Sequence, residues 1–325
     1  ARTFGMEGLF RQMGIYSSSG QLYEPEDSDK VMWYKEDIKG QVLQEGINEA
    51  GAISDWIAAA TSYASHNITM IPFYIYYSKF GFQRVGDLAW AAGDMQAKGF
   101  LMGGTAGRTT LAGEGLQHQD GDSLIVSNTI PNCISYDPTY AYELAVILRD
   151  GMRRMYEDME NIFYYITLMN ENYTHPAIPK GVEEGIIKGI YPLKTVGESK
   201  VKVQLLGSGA ILREVEKAAD MLDRDWGVKS HIWSVTSFNE LTREAQSVDR
   251  DNLFQEVDNK KIPYITECLK KSKGPVIAAT DYMKVYADQI REFVSGHYSV
   301  LGTDGFGRSD TRERLRKFFE VDRYY

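Results

Sequence analysis

Short apolar runs alternate with stretches of helical periodicity along most of this chain, and that alternation constrains the fold more than any other feature. The runs are ITMIPFYIY (68–76), FLMGGT (100–105), IPNCISYD (130–137), IFYYITLM (162–169), VQLLGSG (203–209), HIWSVTS (231–237), PVIAAT (275–280) and YSVLGT (298–303). An unbroken short apolar run reads as a strand covered on both faces, and such strands pair in parallel through helical crossovers. The segments between them supply the crossovers. Helices are predicted over 41–64, over 86–99 with Gly99 as the closing residue, and from Pro138 to about Gly151. Further helices are predicted over 210–225, 238–252 and 282–294. The proline- and glycine-rich stretch 170–200 interrupts this rhythm and reads as a domain boundary. The expectation is α/β: two consecutive α/β domains with mainly parallel sheets, 1–185 and 186–325.

A chain of 325 residues can bury two ordinary cores. Its net charge of −9 argues against non-specific nucleic-acid binding and against an anionic membrane surface. Nothing in it reads as a membrane span or a secretory leader. Cys133 and Cys268 stand far apart, so neither a disulfide framework nor a zinc spacing is indicated, and a reducing cytoplasm is expected. The start, ARTFGMEGLF, and the end, FFEVDRYY, both read as cut rather than natural. Tyrosines cluster in FYIYYSKFGF, YDPTYAYEL and YYIT, which suits either a cleft wall or an ordinary core.

Two places invite chemistry. In LQEGINEAGA (43–52), Glu45 and Glu49 are four residues apart, which on a helix puts both on one face. That face is either solvated or holds a carboxylate that handles a proton in an apolar cleft. His118 lies in the polar loop TLAGEGLQHQDGDS, near Glu114 and Asp120, beyond a strand where α/β proteins bind ligands. The other histidines have no partners at ligand spacing. GSGAILREV (207–215) lacks the third glycine of a dinucleotide turn and the acidic residue further on, so its glycines read as close packing. No phosphate-loop or nucleophile-elbow motif occurs.

Longer segments carry a resemblance. ARTFGMEGLFRQMGIY, YKEDIKGQVLQEGINEAGA, IPFYIYYSKFGFQRVGDLAWAAGDMQAKGFLMGGTAGRTTLAGEGLQHQDG and NTIPNCISYDPTYAYELA resemble the homodimeric type of pyruvate dehydrogenase, a transketolase-like thiamine-diphosphate enzyme. TDYMKVYADQIREFV and VLGTDGFGRSDTRERLRKFFEVD resemble its last domain. The resemblance implies oxidative decarboxylation of pyruvate with reductive acetylation of a lipoyl group on a dihydrolipoyl acetyltransferase partner. It implies that Glu49 hydrogen-bonds a ring nitrogen of the cofactor's aminopyrimidine, favouring the tautomer that activates the cofactor. Phe80 then matches the stacking aromatic, Tyr77 the tyrosine of the substrate pocket, His118 the active-site histidine and Glu114 a nearby acid. Glu45 matches a supporting position in the cofactor site or the dimer interface. SGQLYEPEDSDKVMWYK (19–35) resembles the family's outer mobile loop, which closes over the occupied site.

One departure matters. The family holds Mg2+ and the diphosphate with a GDG motif in a preceding domain, and no GDG occurs here. The acidic pair expected just before ARTFG is also missing. The resemblance therefore implies half a site, completed by a domain outside this chain and by a second subunit. A dehydrogenase for another 2-oxo acid and a transketolase-like transferase remain open, as does a non-catalytic dimerisation or docking subunit.

Overall fold

The computed structural model describes residues 7–26, 34–270 and 272–325. ARTFGM and the middle of the 19–35 segment, residues 27–33, lie outside the described residues. In chain order the first half forms α1 (Glu49–Ala60), β1 (Phe73–Tyr77), α2 (Ser78–Asp94), β2 (Phe100–Gly104), β3 (Cys133–Tyr136), α3 (Ala141–Met152) and β4 (Phe163–Thr167). Its sheet has the order β1-β2-β4-β3, parallel throughout. Strands β2, β3 and β4 are buried along their whole length, which is why they read as continuous apolar runs.

The second half forms β5 (Ile190–Val196), β6 (Lys202–Gly207), α4 (Leu212–Trp226), β7 (Lys229–Val235), α5 (Phe238–Asn252), β8 (Val276–Ala279), β9 (Tyr298–Leu301) and α6 (Arg312–Phe318). The sheet order is β9-β8-β6-β7-β5. All pairs are parallel except β5, which runs antiparallel to β7 at the edge. The two domains share a buried joint at Glu143. Its carboxylate accepts from the Tyr140 N–H (2.8 Å), the Tyr191 hydroxyl (2.6 Å) and the Ser234 hydroxyl (2.6 Å). Burial raises its pKa, and these hydrogen bonds oppose the rise.

Several expected elements move. The helix predicted from 41 begins only at Glu49, because Gly46 takes a positive φ of 66° and Asn48 caps the helix by accepting the Gly51 N–H at 3.2 Å. Glu45 is therefore outside the helix, and the one-face pairing with Glu49 does not form. The helix predicted over 86–99 instead spans Ser78–Asp94, and Gly99 does not close it. The 282–294 helix divides into Lys284–Asp288 and a 3₁₀ turn at Arg291–Phe293. Within 170–200, the structure has a short helix at Glu183–Lys188 and the strand β5. Pro192 is tolerated there beside an irregularity on an edge strand, where a missing N–H breaks no central ladder.

Candidate active site

Strand β1 runs into α2 without a loop: Tyr77 ends the strand and Ser78 opens the helix. The junction requires Gly81, since a Cβ there would lie 1.7 Å from the ring of buried Tyr76. Tyr77 and Phe80 thus stand at the carboxyl end of the sheet. The loop after β2 returns to the same place through a 3₁₀ turn, Leu116–His118. The His118 ring meets Phe80 edge-on, with centroids 5.0 Å apart, and lies 5.5 Å from Tyr77. Tyr77 and Phe80 are 6.1 Å apart.

Glu49 joins this cluster through a residue that the sequence reading missed. Arg84, one turn along α2 from Phe80, lies 4.5 Å from the Phe80 ring centre and donates to the Glu49 carboxylate. Glu49 is the first residue of α1, where the helix dipole also favours a negative charge. Its side chain is 22% exposed. Arg84 follows Phe80 at i, i+4, so the pairing becomes readable once KFGFQRV is recognised as helix.

The remaining candidates divide. Glu114 and His118 each bury a polar atom, Oε2 and Nδ1, that has no hydrogen-bond partner among the described residues. Buried polar atoms are nearly always paired, so two orphans in one short loop stand out. Glu45 is exposed, and its carboxyl hydrogen-bonds Asp55, which raises its pKa. Asp120 is fully buried and serves the loop, accepting the N–H groups of Asp122 (3.1 Å) and Ser123 (2.9 Å). Desolvation raises its pKa. Beside it Lys79 pairs with Asp122 at 2.7 Å, a second contact between α2 and the loop that sequence spacing did not reveal.

Residues 1–176 match the family described as the pyruvate dehydrogenase E1 component middle domain. The chain belongs to this family. Residues 189–322 match the transketolase-like C-terminal domain. A pyruvate dehydrogenase E1 component from Pseudomonas aeruginosa is 66% identical over all of this chain and 37% of its own length. One from Escherichia coli is 63% identical over the same shares. The chain thus spans little more than a third of the E1 relatives it matches. Among solved structures, a transketolase from Campylobacter jejuni aligns over 90% of this chain and 38% of its own, with a TM-score of 0.64 at 18% identity. A split-gene transketolase, solved as an inactive beta4 tetramer, aligns over 99% of this chain and 93% of its own, with a TM-score of 0.63 at 13% identity. These structural likenesses establish the transketolase-like fold of this E1 family member. Among its described residues no helix is long and apolar enough to cross a membrane.

Proposed function

We propose that Glu49, Phe80 and His118 form the aminopyrimidine half of a thiamine-diphosphate site. On this reading the full protein oxidatively decarboxylates pyruvate in the cytoplasm and acetylates a lipoyl group on a dihydrolipoyl acetyltransferase. The observation that carries the reading is the convergence of three separate segments, α1, the start of α2 and the loop after β2, on one ring cluster. The donor set fits the group: a carboxylate for a ring nitrogen, a flat apolar ring for stacking, and the orphaned Nδ1 of His118 beside that ring. When bound, thiamine diphosphate supplies the electron sink for decarboxylation.

The chain's own residues do the rest. Glu49 shares a proton with the aminopyrimidine ring nitrogen, while Arg84 holds its carboxylate at the helix start. Phe80 offers the stacking surface. Tyr77 lines the substrate pocket, where a phenolic hydroxyl can donate to the substrate carboxylate. His118 holds or moves a proton near the reacting carbon, with Glu114 four residues earlier. Glu45 supports the cofactor site or the dimer interface from its exposed position ahead of α1. The diphosphate and its Mg2+ bind outside this chain, and a homodimer brings the halves together.

A docking or dimerisation unit without catalysis is the second reading, favoured by the inactive split-gene neighbour of the same two-domain extent. Equilibrium binding of thiamine diphosphate with Mg2+ to the full-length protein separates the two. Loss of a stacking aromatic costs about 1–3 kcal/mol, so Phe80→Ala should weaken binding by about 5–150-fold. Binding that is absent in wild type, or indifferent to Phe80→Ala, would remove the enzyme reading. The 325-residue chain alone should bind the cofactor weakly or not at all.

A further inference from the structure

His118 has no polar partner at Nδ1, so its place depends on ring packing and on the backbone that carries it. That backbone is strapped to the second domain. The next residue, Gln119, is 1% exposed, and its amide pairs with the main chain of Arg308 in both directions. Oε1 accepts the Arg308 N–H at 2.6 Å, and Nε2 donates to the Arg308 carbonyl. The approach leaves no room for a side chain at Gly307, where a Cβ would lie 2.6 Å from Gln119 Oε1. On the near side of His118, the Gly113 N–H donates to the Asp310 carbonyl at 2.9 Å and Ser309 Oγ to the Gly113 carbonyl at 2.8 Å. The segment bearing the histidine is thus pinned at both ends by one stretch, 308–310, that lies almost two hundred residues away.

We infer that Gln119 is a positioning residue for His118, acting across the domain interface through the backbone of Arg308. A glutamine amide provides a donor and an acceptor at the reach this pairing needs. Glutamate retains the acceptor and faces the Arg308 carbonyl with a charge; methionine retains the length and neither bond. The C-terminal domain thereby sets the position of a group that the first domain contributes. This inference rests on the functional reading above only for its kinetic consequence.

The test is a double-mutant cycle in the full-length protein, read as pyruvate-dependent reduction of an artificial electron acceptor. A misplacement of order 1 Å costs up to about 100-fold, so Gln119→Met should lower kcat by about 10–100-fold with KM little changed. In a His118→Ala background the same substitution should cost less than about threefold, because the group being positioned is gone. A full additive loss in that background would overturn the inference. Ser309→Ala, at an exposed position, should show the same pattern more weakly, and it replaces Gln119→Met in the cycle if that variant does not fold. Amide hydrogen exchange reads the strap without chemistry: Gln119→Met should accelerate exchange in both 113–121 and 305–310. Unchanged exchange in either segment would overturn it. Should the wild type turn over no 2-oxo acid, the functional reading fails while the exchange result still decides the strap.

Discussion

The two walls of the candidate site are built differently. The His118 wall is cross-tied: its loop exposes Leu116 and Gln117, yet Thr109 and Gln119 are almost fully enclosed, and Thr109 donates to Asp281 of the second domain through both its N–H (3.0 Å) and its hydroxyl (2.8 Å). The Glu49 wall is approached through an exposed segment in which Leu43 is 55% and Ile47 97% accessible, and it contacts the cluster through Arg84. One wall is positioned by this chain's own packing. The other presents apolar residues for cover, which fits the proposed second subunit and diphosphate domain. On the proposed reading, a site with one cross-tied wall and one wall awaiting cover should assemble only when the second subunit and the diphosphate domain are present.

The largest effect expected is on the second wall's chemistry. Glu49→Gln should reduce turnover by about 10²–10⁴-fold, the loss expected of a general acid–base group. Steady-state rates of the full-length protein with saturating cofactor check this, and a rate within a factor of a few of wild type would sink the role of Glu49.

The next effect contrasts ion pairs on the two walls. Arg316 is buried between Glu171 and Glu214 and reaches Thr109 at 3.3 Å, behind the His118 loop. Arg316→Met removes one arginine from Glu171 and from the buried Glu214, which keep Arg213 and Arg323, and should destabilise by about 1.5–3 kcal/mol in chemical denaturation. Arg84 is half exposed, so Arg84→Met should cost at most about 1 kcal/mol. Equal losses would show that the walls do not differ as described.

A smaller effect is pH-dependent. Asp137, just after β3, accepts from Thr167 Oγ1 at 2.7 Å, and its N–H donates to the Thr236 carbonyl of the second domain at 2.7 Å. Burial pushes its carboxyl up to about 7, with the Thr167 and Ser208 hydrogen bonds opposing. A folded pKa above the unfolded one, about 3.9, means the neutral acid favours folding: its contribution is complete below about pH 4 and lost as the pH rises through about 7. Asp137→Asn does not titrate, so its Tm relative to wild type should rise by a few degrees from pH 5 to pH 8. A difference independent of pH would contradict the assigned cause.

Most of the architecture was legible because buried parallel strands write themselves as apolar runs, and IFYYITLM and HIWSVTS needed no further signal. Where the reading failed, local chemistry outweighed periodicity. Gly46 and Asn48 delayed α1, so Glu45 fell outside it. The direct strand-to-helix junction at Tyr77–Ser78 hid α2's first two turns, and with them Arg84. The edge strand β5 was masked by the prolines and glycines around it. Glu49 and His118 stood out as residues and took their roles from the family resemblance, which alone named Phe80 and Tyr77; the ring contacts, and the Gln119 strap, depend on long-range packing that no spacing records.

The most direct measurement is pyruvate-dependent reduction of an artificial acceptor by the full-length protein, with and without thiamine diphosphate and Mg2+. The account predicts turnover that requires the cofactor and favours pyruvate over larger 2-oxo acids. Cofactor-dependent turnover with a larger acid alone would keep the site and change the substrate. Silence with every 2-oxo acid, from a folded and cofactor-saturated protein, would contradict the account.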